Sequence, residues 1–175
     1  QRGPETVAAF VAEPVGGASI PAAAPHPAYY EEVRAICDEY DVLFVADEVM
    51  TGFGRTGPLF AMENYGVVPD MMTLGKGISG GYTPLSAVLV HDDVAEEFDR
   101  DGVSFSHGHT FAGNPLSAAV ANFVVDRYTD EVLQHGRERG RQLVSELEPL
   151  RDHPMVGDFR AMGPMVGLEF VADRE

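Results

Sequence analysis

The chain has little positive charge and almost no lysine. Lys76 is its only lysine, and every other cationic side chain is an arginine. Lysine and arginine together number 12 against 28 aspartates and glutamates, a formal net charge of −16. Such a surface repels nucleic acid and anionic membrane, so neither is an expected partner. The acids are spread along the chain rather than massed in one tail, which argues against a disordered acidic arm. Low lysine with abundant acid is also the composition expected of a protein kept soluble in high salt. Cysteine is represented once, by Cys37, so no internal disulfide can form. No apolar run reaches the roughly 18 residues of a membrane span, and no secretory leader pattern is visible. A cytoplasmic protein is the expectation. Gln1 and Glu175 both stand close to strand patterns, so the chain reads as a piece of something longer.

What is present is globular in character. The 175 residues are 45% apolar, enough for a sizeable core. Residues 7–12, VAAFVA, form a short apolar run closed by Glu13-Pro14, which predicts a strand buried on both faces in a parallel sheet. Pro27 suits the first turn of a helix. Tyr29, Val33, Ile36, Cys37 and Tyr40 then recur at helical spacing, with acids on the opposite face; Cys37 falls on the apolar side. Residues 42–46, VLFVA, predict a second buried strand, and strand–helix–strand is a βαβ unit. Residues 51–58, TGFGRTGP, are too glycine-rich for regular structure, and one or two helical turns are expected over 59–65. Residues 70–74 predict a third strand. Residues 85–90 predict a fourth, antiparallel because the link before it is short.

Helices are expected over 92–98, 116–128 and 131–150, and a last strand over 165–171. Along the 131–150 helix, Val132, Leu133, Leu143, Val144, Leu147 and Leu150 supply the apolar positions, while Gly136 and Gly140 predict a close backbone approach. A domain boundary is expected at Thr129-Asp130, with 1–129 in a larger domain and 130–175 opening a smaller one.

The chemistry collects at strand ends. Glu13, Asp47 and Lys76 each stand at or just past the carboxyl end of a predicted strand, and open α/β sheets bind ligands in the crevice there. A lysine amine can be made nucleophilic by burial, whereas a guanidinium cannot. Lys76 sits between Gly75 and Gly77, which leave it accessible, and suits an enzyme that forms an imine with an aldehyde cofactor, pyridoxal phosphate. A single solvated surface lysine is the alternative. Asp47 could instead cap a helix or pair with an arginine. The run LFVADE also resembles the magnesium-holding strand of an ATPase, but the phosphate loop that reading needs is absent: Gly77 follows Lys76, and Asp70 stands where the first glycine belongs. His107 and His109 lack a third metal ligand at recognisable spacing. No G-x-S-x-G elbow of a serine hydrolase appears.

Four blocks carry a family resemblance: VAEPVGGAS, LFVADEVMTGFGRTG, PDMMTLGKGISGGYTPLSAV and HGHTFAGNPLSAAVA. In order and spacing they resemble the class III aminotransferases, pyridoxal-phosphate enzymes of fold type I that are usually homodimers. The resemblance covers residues 7–171, and family members are more than twice as long. It implies an α/β fold: most of the cofactor-binding large domain, with a mainly parallel sheet flanked by helices, and the start of a smaller carboxyl-terminal domain. It implies that Lys76 binds the cofactor's aldehyde and shuttles the substrate proton. Asp47 would pair with the pyridine nitrogen and keep it protonated. Val49 would press on one ring face, and Glu13 would support the site floor. Thr110 would bind the phosphate of the neighbouring subunit's cofactor, making the site shared.

Two positions depart from parts of the family. Met50 stands where some members have a glutamine that contacts the ring hydroxyl. Ala18 stands where members acting on ornithine or 4-aminobutyrate have a glutamate. Ala18 leans away from those substrates and toward an amine or ω-amino acid as donor and a 2-oxo acid such as pyruvate as acceptor. An aminomutase or decarboxylase on the same scaffold remains open, as does a fragment without activity.

Overall fold

The computed structural model describes residues 3–174. Gln1, Arg2 and Glu175, the extremes of the two expected domains, lie outside the described residues. The fold is α/β. Strands β1 (Ala9–Ala12), β2 (Leu43–Asp47), β3 (Met71–Leu74) and β4 (Ala87–Val90) form one sheet in the order β1-β2-β3-β4. The first three are parallel, and β4 runs antiparallel to β3. The link to β4 holds only a short 3-10 turn and no crossover helix, and the chain folds back.

Helix α1 (Tyr29–Tyr40) joins β1 to β2 and lays Tyr30 and Cys37 on the sheet. With Phe44, Ala46 and Met62 they form the main core cluster. Pro27 precedes the helix instead of entering its first turn; Ala28 is the residue before the first helical position. Asp41 ends α1 in the left-handed region. The Asp70 carboxylate accepts from the Phe44 amide at 2.6 Å and from Arg34 at 2.8 Å, tying α1, β2 and the start of β3 together.

Burial of β1 on both faces does not hold. Val11 is 61% exposed on one face, while its neighbours Phe10 and Ala12 point to the other and pack against the main core. The opposite edge, β4, also exposes Val88 and Leu89.

After the sheet, α2 (Asp92–Ala95) is a single turn continued by a 3-10 turn, Glu96–Asp99. Asn114 caps α3 (Pro115–Val125) by accepting from the Ser117 amide, and Pro115 opens the helix. The buried positions Ser117, Ala121 and Val124 form one face, set against the turn after β3. Thr129 caps α4 (Asp130–Leu147).

The α4 apolar stripe is narrower than expected. Leu133, Gly140, Val144 and Leu147 face inward or are partly covered, while Val132, Leu143 and Leu150 face solvent. Gly140 makes the predicted close approach: a Cβ there would lie 2.8 Å from the Pro164 amide nitrogen. Gly136 makes none, with nothing within 4 Å of the same construction.

The chain closes with an antiparallel hairpin, β5 (Val156–Met162) and β6 (Met165–Phe170). The sequence predicts β6 and misses β5. A register shift between Val156 and Asp158 breaks the two-residue alternation, and Gly157, Asp158 and Arg160 leave no apolar run. The hairpin turn wedges between α4 and the 51–58 loop. Gly163 has φ +58, and a Cβ there would lie 2.6 Å from the Thr56 carbonyl carbon, so glycine is required. Among the described residues no helix is long and apolar enough to cross a membrane.

Candidate active site

The parallel strands deliver three functional groups to one end of the sheet. Glu13 follows β1, Asp47 ends β2, and Lys76 follows β3 by two residues. Asp47 is the register partner of Thr73, so the acid and the lysine-bearing segment lie on adjacent strands.

Asp47 is held from two sides. Its Oδ1 accepts from the Val49 amide at 3.1 Å and from the Thr73 hydroxyl at 3.0 Å. Its other oxygen has no hydrogen-bond partner among the described residues. Glu48, one residue on, has the opposite character. It is fully buried and accepts three hydrogen bonds, from the Thr51 hydroxyl at 2.5 Å and from the Ala61 and Met62 amides at 3.0 and 2.9 Å. A buried carboxylate is stable only when it is hydrogen-bonded, and here both oxygens are. Glu48 thereby ties both ends of the glycine-rich loop to β2.

Glu13 accepts from the Gly17 amide at 2.9 Å through Oε2. A Cβ at Gly17 would lie 2.5 Å from the Glu13 carboxylate and 2.7 Å from the Met50 sulfur, so the glycine lets Glu13 and Met50 close over it. Two phenols fix the same turn. Tyr30 donates to the Glu13 carbonyl at 2.6 Å and Tyr65 to the Pro14 carbonyl at 3.0 Å. Burial raises both phenol pKa values, which keeps these groups as donors.

Lys76 opens a 3-10 turn, Lys76–Ser79, and has φ +42. That left-handed conformation is disfavoured for a residue with a Cβ. The Ile78 amide donates to the Gly75 carbonyl at 3.0 Å, and the Ser79 hydroxyl to the Thr83 carbonyl at 2.6 Å. The side chain is exposed and lines a cavity of about 670 Å³ with Val49, Met50, Phe53, Arg55 and Tyr128. Pro164, Met165 and Val166 of the hairpin close one side. Val49 reaches this space because Gly75 has no side chain: a Cβ there would lie 3.2 Å from Val49 Cγ1.

Of the six residues singled out from sequence, Lys76, Val49 and Met50 share the cavity wall. Asp47 and Glu13 lie at the strand ends and are not part of that wall. Thr110 is not brought to it. It is exposed, in a segment next to a second cavity of about 780 Å³ whose walls include Thr83, His107, His109 and Ser117. The two histidines are not joined by further ligands, and no cluster of three metal-binding side chains occurs among the described residues.

Sequence reasoning passed over Glu48, Arg55 and Tyr128. Glu48 stands three residues before Thr51, a spacing at which the two side chains can meet across one turn. Arg55 is the other cation on the cavity wall and forms no ion pair among the described residues. Tyr128 reaches the lysine turn from 51 residues further on, which no local pattern reveals.

The donor set fits a flat aldehyde cofactor: an accessible amine, a carboxylate on the adjacent strand with one oxygen unpartnered among the described residues, and a valine face made reachable by glycine. A family profile described as Aminotransferase class-III matches residues 1–175. The chain belongs to that family, whose members depend on pyridoxal phosphate. It is 47% identical to a probable aminotransferase, Rv3329, of Mycobacterium tuberculosis, covering 98% of this chain and 37% of that protein. It is 40% identical to a putrescine–pyruvate aminotransferase of Pseudomonas aeruginosa, covering 99% and 38%. It superposes on an (S)-enantioselective omega-transaminase of Thermomicrobium roseum with a TM-score of 0.92 at 41% identity, covering 98% of this chain and 38% of that one. The chain therefore spans well under half the length of the relatives it matches.

Proposed function

We propose that the protein containing this chain is a pyridoxal-phosphate-dependent aminotransferase. It moves an amino group from an amine or ω-amino acid to a 2-oxo acid such as pyruvate. The observation that carries the reading is the sheet register that sets Asp47 at the end of β2 beside the strand leading into Lys76, next to a cavity walled by Lys76, Val49 and Met50. Bound there, the cofactor supplies an aldehyde that condenses with amines and a ring that takes up electrons from the substrate carbon.

The chain's own residues have separate tasks. Lys76 would hold the cofactor through its amine and would carry the proton to and from the substrate carbon as a general base and acid. Asp47 holds a proton on the ring nitrogen by opposite charge. Val49 limits the ring's tilt. Glu13, fixed through Gly17, Tyr30 and Tyr65, supports the floor of the site. Met50 offers no strong hydrogen bond and leaves the ring hydroxyl to other groups. Arg55, unpaired in an acidic chain, suits the carboxylate of a 2-oxo acid.

Residues 1–129 belong to the large domain in this reading, and 130–175 begin the small one. Exposure of Thr110, Phe105, Phe111 and Leu116 supports a homodimer in which Thr110 serves the neighbouring subunit's phosphate. The acid excess supports a protein suited to a salty cytoplasm.

A donor screen on the full-length protein tests the substrate reading. Amines such as putrescine, and ω-amino acids other than 4-aminobutyrate and ornithine, should transfer to pyruvate faster than 4-aminobutyrate or ornithine transfer to 2-oxoglutarate. The reverse order would contradict it.

A further inference from the structure

We propose that Tyr128 is a positioning residue for Lys76: its phenol, donating to the Gly77 carbonyl, holds the turn that presents the amine to the cavity. The proposal rests on the role given to Lys76 above.

The lysine turn needs holding from outside. Lys76 sits at φ +42, and Phe53, across from it, at φ +59. Both are left-handed conformations that residues with a Cβ keep only when their surroundings over-determine them. Gly77 lies between Phe53 and Tyr128. On one side, a Cβ on Gly77 would meet Phe53 Cβ and Cδ2 at 2.8 Å, so the Phe53 side chain rests directly on the glycine backbone. On the other, Tyr128 Oη donates to the Gly77 carbonyl at 2.7 Å. The Gly80 amide donates to the same oxygen at 2.9 Å, so both of its lone pairs are used. The Phe53 and Tyr128 rings lie 5.3 Å apart and close the clamp over the turn.

Tyr128 is well mounted for this task. It continues the inner face of α3, four residues beyond Val124, and Val124 lies 3.5 Å from where a Gly80 Cβ would be. Further back on that face, the Ser117 hydroxyl is 2.9 Å from that of Thr83. A whole helix face thus braces the turn, and Tyr128 is its one direct hydrogen bond to the residue after the lysine. The phenol stays a donor: burial raises its pKa, against a smaller opposing pull from Arg55. Tyr128 lines the same cavity as Lys76, so a loosened turn is felt where the amine works.

The test uses the full-length protein and Tyr128→Phe, which keeps the ring and removes the donor. Loss of one partly buried hydrogen bond should lower kcat about tenfold and leave KM for the amino donor within about twofold. In the cofactor-free protein, backbone amide exchange over residues 77–81 should quicken about tenfold, with the thermal midpoint little changed. Wild-type kcat and wild-type exchange in Y128F would overturn the proposal. So would equal losses in kcat, KM and thermal stability, the mark of a merely structural residue. Should Y128F not fold, Phe53→Leu carries the test, since it removes the ring that backs the phenol; the same split between kcat and KM supports the clamp, and unchanged kinetics and exchange refute it. If the wild-type protein takes up no cofactor on Lys76, the functional reading fails, while the exchange measurement still judges the clamp.

Discussion

Two glycine-rich stretches of this chain behave differently. The loop from Glu48 to Pro58 and the turn around Lys76 are pinned at almost every residue. Glu48 is buried and accepts three hydrogen bonds, Thr51 and Thr56 are buried, and Phe53, Tyr128, Val49 and the hairpin turn bear on the glycines. Residues 101–113 have a similar share of small and polar residues, yet every one is exposed. Their hydrogen bonds are local, such as Ala112 to the His109 carbonyl and the Phe111 amide to His109. Glycine content therefore says little about order. What decides is whether the chain itself supplies atoms against the loop. The first stretch gets them from β2, α3 and the β5–β6 hairpin. In our proposal the second gets them from another subunit.

The sharpest way to break the contrast is to remove the pin. Glu48→Ala orphans two buried amides and a hydroxyl, and should cost on the order of 4 kcal/mol of stability, read by denaturant unfolding. Glu48→Gln, which keeps one acceptor oxygen, should cost about half as much. The exposed segment should respond in the opposite manner. Thr110→Ala in the full-length protein should leave unfolding within about 0.5 kcal/mol and weaken cofactor retention about tenfold, measured by equilibrium dialysis. A stability loss comparable to that of E48A would show that the 101–113 segment is packed by its own chain after all.

Smaller effects should separate the two glycines of α4. Gly140→Ala forces a methyl against the Pro164 backbone and should destabilise by about 2 kcal/mol. Gly136→Ala meets open space within a helix and should stabilise by about 0.5–1 kcal/mol. Thermal midpoints moving in opposite directions would confirm that only Gly140 marks a close approach.

Much of this was readable from residues in order. The apolar runs before Glu13, Asp47 and Lys76 mark three strands, and the short link to residues 85–90 dictates an antiparallel fourth, because both are local properties of the chain. What was not readable depended on partners distant in sequence. β5 hides behind a bulge that breaks its alternation at Gly157. Gly136 and Gly140 look alike on a helical wheel, and only the position of Pro164 tells them apart. Glu48 reads as a second acid beside Asp47, although one is buried with both oxygens hydrogen-bonded and the other leaves an oxygen without a partner among the described residues. Tyr128 follows the end of a helix with no local sign that its hydroxyl reaches Gly77. In the proposed site, Lys76 and Asp47 stand out because chemistry restricts which residues could do the work assigned to them. The groups that hold them do not, since many side chains could serve.

The central claim is that the single lysine of this chain is where the cofactor is attached. Full-length protein loaded with pyridoxal phosphate should be reduced with borohydride, digested, and the modified peptide sequenced by mass spectrometry. One phosphopyridoxyl group per subunit is expected, on Lys76. A folded protein labelled elsewhere, or not labelled at all, would contradict it.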